Sequence, residues 1–382
     1  MTPTIAGLIG LAALFALLIL RTPVAIALML VGFVGVAALN SMQAALSTLS
    51  GEAFVMASFY ELSVIPLFVL MGNFATACGM SRDLYAAAYE WVGRLRGGLA
   101  SATIVGCAGF AALSGSSVAS AVTMGRVALP EMDRYGYSPK LATGAVAAGG
   151  TLGILIPPST GFVIYAVLTE ASIGKLFLAG VFPGLLLTFL FVATIWLQTT
   201  LNPALGPKKP SEERVARPYW QTWRPIVMAT VAVLAIGAFL AGWIGFWGMV
   251  VAAGILLLMS AVASRAQAAS LARAAPIVGL ILITIGGIYG GIFTPVEAAA
   301  VGAVLALVIA LARRAMTRAA WSDVLLQTMK TTGMSFLILI GAHIFQPFLA
   351  LTHLPGDLAT GLTGLNIGPL GILILVMAVF IL

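Results

Sequence analysis

Three stretches of this chain combine residues that weaken a helix with residues that hold ions. The first is Ser114-Gly115-Ser116-Ser117, inside a long apolar run. Ser and Gly offer the backbone alternatives to helical hydrogen bonds. Unwinding here would present carbonyls and hydroxyls to a cation, although small-residue helix packing uses the same residue types. The second runs from Gly149 through Gly153 to Pro157-Pro158-Ser159. Pro158 lacks a donor and pushes Pro157 out of the α region, so a helix must break here, within the membrane or in a surface loop. The third is Gly290-Gly291-Ile292-Phe293-Thr294-Pro295-Val296-Glu297. Thr294 and Glu297 have capping-box spacing and Pro295 falls at the first helical position, so a helix is expected to begin at Thr294. Glu297 reads as a cap or as an ion or proton site, because acidic groups in membrane segments are costly.

No Lys or Arg lies within these stretches. An anionic substrate there would rely on helix N-termini, hydroxyls and bound cations, with Arg126 the nearest basic side chain. A second chemistry is nucleophilic, with Ser116 attacking and His343 as base. No third orienting group is evident for it. Single polar residues such as Glu61, Asn73, Gln346 and His353 read as interhelical hydrogen bonders, while Glu170 and Lys175 flank Ser172-Ile173-Gly174 as a short turn at the interface. Pro347 is expected to kink its helix.

The elements that must position these groups follow from composition. The chain has 382 residues, is 61% hydrophobic and only 8% charged, with a mean hydropathy of +1.10. A soluble domain carries about 25% charged residues. This excludes a soluble enzyme, a nucleic-acid-binding domain and a disordered chain, and leaves an all-α polytopic membrane protein in a lipid bilayer. The apolar runs are also too long for barrel strands. The net charge of +7 sits in polar breaks and reads as a topology signal rather than a nucleic-acid footprint. Cys78 and Cys107 have no metal-ligand spacing, so no transition metal is expected.

Apolar runs at 5–20, 25–39, 54–77, 99–122, 141–156, 176–197 and 226–240 read as spans, followed by 244–262, 277–293, 298–312, 335–350 and 370–382. The polar stretch 201–224 holds Lys208, Lys209, Arg214, Arg217 and Arg224, and is expected to be cytoplasmic. It divides a first repeat, 1–200, from a second, 225–382. Two amphipathic segments, 81–97 and 317–333, each with one Trp and a terminal Gly, suggest that the halves are related. The second half has much less chain after its segment than the first and is expected to be C-terminally incomplete.

These residues resemble the large membrane subunit (DctM type) of tripartite ATP-independent periplasmic (TRAP) transporters. The resemblance is carried by Pro66-Leu-Phe-Val-Leu-Met-Gly-Asn73, Ser114-Gly-Ser-Ser-Val-Ala119, Pro130-Glu-Met132 with Gly136-Tyr137, and Gly150-Thr-Leu-Gly-Ile-Leu-Ile-Pro-Pro-Ser159. It continues in Ser172-Ile-Gly174 with Leu176-Phe177, Gly287-Ile-Tyr289 and Gly291-Ile-Phe-Thr-Pro-Val-Glu-Ala-Ala299, and covers nearly the whole chain. It implies two inverted repeats with helical hairpins and broken helices, flanked by scaffold and arm helices, in an elevator-type transporter of the bacterial inner membrane. It further implies Na+ as coupling ion, no ATP and no organic cofactor. The substrate would be an organic acid such as a C4-dicarboxylate or sialic acid. The implied partners are a periplasmic substrate-binding protein and a small four-helix membrane subunit. By the same resemblance, sodium falls to Ser114, Gly115, Ser116 and Ser117 with Pro66 and Asn73, and to Gly290, Gly291, Thr294 and Glu297. Substrate falls to Ser116, Gly153, Pro157, Pro158, Ser159 and Arg126. A related sodium–carboxylate carrier without a binding protein is the alternative.

Overall fold

The computed structural model describes residues 2–206, 265–363 and 368–381; the expected spans at 226–240 and 244–262 and the basic residues of the polar stretch lie outside these. The described chain is helical: α1 (Pro3–Ile19), α2 (Val24–Leu39), α3 (Met42–Ser58), α4 (Val64–Ala77), α5 (Met80–Val92), α6 (Gly98–Ser114), α7 (Ser117–Arg134), α8 (Pro139–Leu155), α9 (Thr160–Thr169) and α10 (Ile173–Leu201). After the polar stretch come α11 (Arg265–Tyr289), α12 (Pro295–Ala312), α13 (Arg318–Leu351), α14 (Leu354–Thr363) and α15 (Pro369–Ile381). Five described segments are long and apolar enough to cross a membrane, among them Ile173–Leu201 and Arg318–Leu351. Large apolar side chains such as Phe15, Phe189 and Val304 are exposed, as expected of surfaces solvated by lipid.

Several boundaries depart from the sequence reading. The apolar run 54–77 is two helices separated by a 3-10 turn, Tyr60–Ser63. The run 99–122 is split at Gly115 into α6 and α7. The amphipathic segment 317–333 does not end at its glycine: α13 continues through Gly333, where nothing crowds the missing side chain. Its counterpart does end, since α5 stops at Val92 and Gly97 takes a left-handed conformation before α6.

By contacts the chain divides into two compact units, residues 1–60 with 333–382, and residues 61–332. These packing units draw on both sequence halves. In the first unit, Leu14, Val31, Val36, Phe345 and Phe348 form a core. The helix backbones approach closely where Gly32 lies on the Ile344 carbonyl and Gly341 on the Ala25 carbonyl. His343 Nδ1 stands 3.4 Å from the Glu52 carboxylate. Thr4 donates to Asp357 at 2.9 Å.

The second unit holds all of the expected ion and substrate residues. Its core is α6 wrapped by α5, α7, α8 and α10, with Ile104, Cys107, Phe110, Met124 and Leu152 buried. Helix α4 packs against α12 and also against α6. Helix α6 is lined with small residues and is buried along nearly its whole length. Such residues let backbones approach in the absence of a hydrophobic force between helices in lipid.

Candidate functional site

The site is built from two helix breaks that interlock. At the first, α6 ends on Ser114, Gly115 adopts φ 59, and Ser116 caps α7 by accepting from the Ala119 amide at 3.3 Å. Only glycine reaches that φ without strain. At the second, α8 ends at Leu155, the Pro157–Pro158 bond is cis, and Ser159 caps α9 by accepting from the Phe162 amide at 3.4 Å. The serines at both breaks thus serve as N-caps, satisfying donors that a helix start leaves open.

The breaks are joined through backbone. Thr160 donates to the Gly115 carbonyl twice, from its amide at 3.2 Å and from its hydroxyl at 3.1 Å. A Cβ on Gly115 would stand 2.5 Å from the Pro158 carbonyl oxygen, and one on Gly153 2.6 Å from the Ser116 carbonyl oxygen. Gly150 lies on Ala121 and the Ser117 carbonyl. The glycine-rich face of α8 is therefore the seat on which the first break rests. Ser114 Oγ lies 3.0 Å from Ser120 Oγ, and both residues are buried.

Helix α4 links this centre to the second half of the chain. Gly72 packs on Ser114, where a Cβ would stand 2.7 Å from its Cα, while the neighbouring Met71 reaches Gly302 on α12. Pro66 is half-buried in the first turn of α4, where its missing N–H breaks no helical bond. Asn73 is directed elsewhere: its side-chain amide donates to the Thr328 hydroxyl at 2.8 Å. Beside it, Phe74 and Trp321 form an edge-to-face pair with centroids 5.8 Å apart. Reciprocally, Arg313 at the end of α12 bonds the Asp83 carboxylate and the Cys78 carbonyl. Each helix of the α4–α12 pair is thus fastened to the amphipathic segment that follows the other.

The structure therefore brings together Ser114, Gly115, Ser116 and Ser117 with Gly153, Pro157, Pro158 and Ser159. It does not bring Arg126 to the breaks: that residue is exposed on α7, about 15 Å along the helix from its start. Gly290, Gly291, Thr294 and Glu297 form an exposed tip between α11 and α12. There the capping box is complete, with Thr294 N donating to Glu297 Oε2 at 2.8 Å and Glu297 N to Thr294 Oγ1 at 3.3 Å. Thr160, Ser120 and Gly72 were not legible as site residues. Thr160 directly follows the Pro-Pro-Ser motif, yet its partner is 45 residues away. Gly72 directly precedes Asn73 in the motif whose expected site residues are Pro66 and Asn73.

Chemically the arrangement has two characters. The C-terminal ends of α6 and α8, with the hydroxyls of Ser114 and Ser120, present oxygen atoms of the kind a hard cation takes. The N-terminal ends of α7 and α9 present positive dipole ends, which suit a carboxylate. Among the described residues no group of His, Cys, Asp or Glu is placed to hold a transition metal.

Residues 11–382 match the family described as tripartite ATP-independent periplasmic transporter, DctM component. The chain is 35% identical over 335 residues to the C4-dicarboxylate TRAP transporter large permease protein DctM of Pseudomonas aeruginosa, covering 87% of this chain and 66% of that protein. It is 30% identical to the isethionate TRAP transporter permease protein DctMQ of Oleidesulfovibrio alaskensis, covering 97% of this chain and 50% of the relative. It is 28% identical to the ectoine/5-hydroxyectoine TRAP transporter large permease protein UehC of Ruegeria pomeroyi, over 96% and 74%. The chain thus spans about two thirds of the first of these relatives and half of the second.

Proposed function

Because the chain belongs to the DctM component family of tripartite ATP-independent periplasmic transporters, we propose that it acts in a sodium-coupled importer of organic acids in the bacterial inner membrane. In this reading a periplasmic binding protein delivers the substrate and a small membrane subunit accompanies the chain. The fused name of the isethionate relative, DctMQ, agrees with such a second membrane component. The relatives' names span C4-dicarboxylates, isethionate and ectoines, so the substrate is proposed as a class, a small organic acid, with C4-dicarboxylate first and sialic acid second.

The observation that carries the proposal is the interlock at Gly115. Two half-helices end and two begin within one backbone-linked knot. Sodium is assigned to the Ser114–Ser117 break, with Asn73 and Pro66 on the flanking helix. The tip at Gly290, Gly291, Thr294 and Glu297 is its proposed counterpart in the second half. The carboxylate is assigned to Ser116, Gly153 and Pro157–Ser159, with Arg126 as a more distant attraction. An elevator motion would carry the knot as one body. Moving one charge through 100 mV is worth about 2.3 kcal/mol, so two sodium ions would support strong accumulation.

The test is uptake of radiolabelled succinate and sialic acid into proteoliposomes holding the chain, its small membrane partner and its binding protein. Sodium-dependent uptake that requires the binding protein is expected. Equal uptake without sodium would overturn the coupling. Uptake without the binding protein would move the assignment to a carrier working alone.

A further inference from the structure

Away from the helix breaks, a groove of about 600 Å3 runs between α6, α8 and α10. Its lining is apolar over most of its length, with Ile104, Leu141, Ala145, Phe191 and Ile195 along it, and Lys140 also lines it. Lys140 is the second residue of α8, and the start of that helix is pinned: Ser138 N donates at 2.9 Å to the carbonyl of Leu205, in the turn that follows α10. The groove is thus polar at the level where α8 begins and α10 ends. Gly97 packs on Ile195 and Thr199 at this same level, and Arg94 and Arg96 just before it are exposed.

Lys140 is exposed, and no described carboxylate lies within ion-pair reach of it. An apolar furrow ending in an ammonium that has no carboxylate partner among the described residues is itself amphipathic. Its chemical complement has an apolar tail and an anionic head. A Lys stem lies along apolar surface while its head stays at the interface, and basic groups there attract anionic lipid. The volume falls within the range of ligand pockets, about 300–1,000 Å3, and Gly144 in its wall faces open space.

We infer that this groove holds an acyl chain of an anionic phospholipid whose phosphate rests on Lys140. The lipid would bridge α8 and α10 and brace the helix that seats the first break.

The experiment follows the thermal unfolding midpoint of the purified full chain in neutral detergent. Phosphatidylglycerol, phosphatidylcholine or inorganic phosphate is added. Phosphatidylglycerol is expected to raise the midpoint above the phosphatidylcholine value by on the order of 3 °C, and phosphate to leave it unmoved. Lys140→Gln should erase the difference between the two lipids. Gly144→Phe, with Ala148→Leu as a second way of filling the groove, should erase the response to both. Equal responses to the two lipids in the unaltered chain would overturn the inference. So would a phosphatidylglycerol preference that survives Lys140→Gln, or one that survives both groove fillings. A rise with phosphate alone would assign the site to a free anion instead.

Discussion

The carbonyl of Gly115 receives both donors of Thr160, amide and hydroxyl, at 3.2 and 3.1 Å. One acceptor therefore closes the first helix break onto the second. Removing the hydroxyl in Thr160→Val leaves the amide bond and should cost about 1 kcal/mol. Gly115→Ala should cost more, about 2 kcal/mol or above, because φ 59 strains any side chain and the Cβ meets the Pro158 carbonyl. Unfolding midpoints of the two variants give the order. A Thr160→Val effect larger than that of Gly115→Ala would contradict the interlock.

Two glycines of one helix should answer substitution in opposite directions. Gly144→Ala meets open space and should stabilise by about 0.5–1 kcal/mol through reduced freedom of the unfolded chain. Gly153→Ala drives a Cβ into the Ser116 carbonyl and should destabilise. It should also lower uptake, since the backbone it displaces belongs to the proposed site. Equal effects would show that α8 does not seat the break as described.

Asn73 and Thr328 should be energetically coupled. A double-mutant cycle of Asn73→Ala and Thr328→Val is expected to give an interaction energy of about 0.5–1.5 kcal/mol, read from unfolding. Additive effects would mean that the 2.8 Å bond contributes nothing in solution. If Asn73 also serves sodium, Asn73→Ala alone should raise the sodium concentration needed for uptake, while Thr328→Val should not.

Burial pushes the Tyr137 hydroxyl above the ordinary tyrosine value near 10, partly offset by the amide of Leu99, which donates to it at 3.3 Å. The unfolded chain ionises its tyrosine first. Stability from this residue is therefore fully present below about pH 10 and is lost as pH rises further. Tyr137→Phe should remove that portion of the alkaline loss and lower stability at neutral pH, because Leu99 loses its acceptor. Unfolding midpoints from pH 8 upward, roughly to 11, compare the two chains; parallel curves would refute the assignment.

Ser114→Ala removes one member of the buried hydroxyl pair with Ser120. Sodium-dependent uptake should fall at low sodium and recover at high sodium. A fall that sodium cannot rescue would place Ser114 in folding rather than in ion binding.

The breaks were legible because Gly, Ser and Pro act on their own backbone. Pro158 forces a stop whatever lies around it, and Thr294-x-x-Glu297 caps its helix from within one turn. Partners were not legible. Nothing local to Gly115 announces Thr160, and nothing local to Met71 announces Gly302, because those meetings are decided by how helices pack. The continuation of α13 through Gly333 has the same origin. A single glycine costs a helix only about 1 kcal/mol, too little to end it. The stop near Ser58 carries no Gly or Pro of its own, so the run 54–77 reads as one apolar segment.

Glycines on one side of the knot and carbonyls on the other have a consequence for how this region could be recombined between relatives. Several of the contacts bring backbone against backbone, at Gly115 on Pro158 and at Gly153 on Ser116, so they depend on chain path as well as on the glycines and on the Thr160 hydroxyl. A graft that exchanged only α6 and α7, or only α8 and α9, would have to reproduce a foreign chain trace to within a few tenths of an ångström. Residues 98–169 therefore form a single block of inheritance, in which a crossover inside the block should cost more than one at its ends.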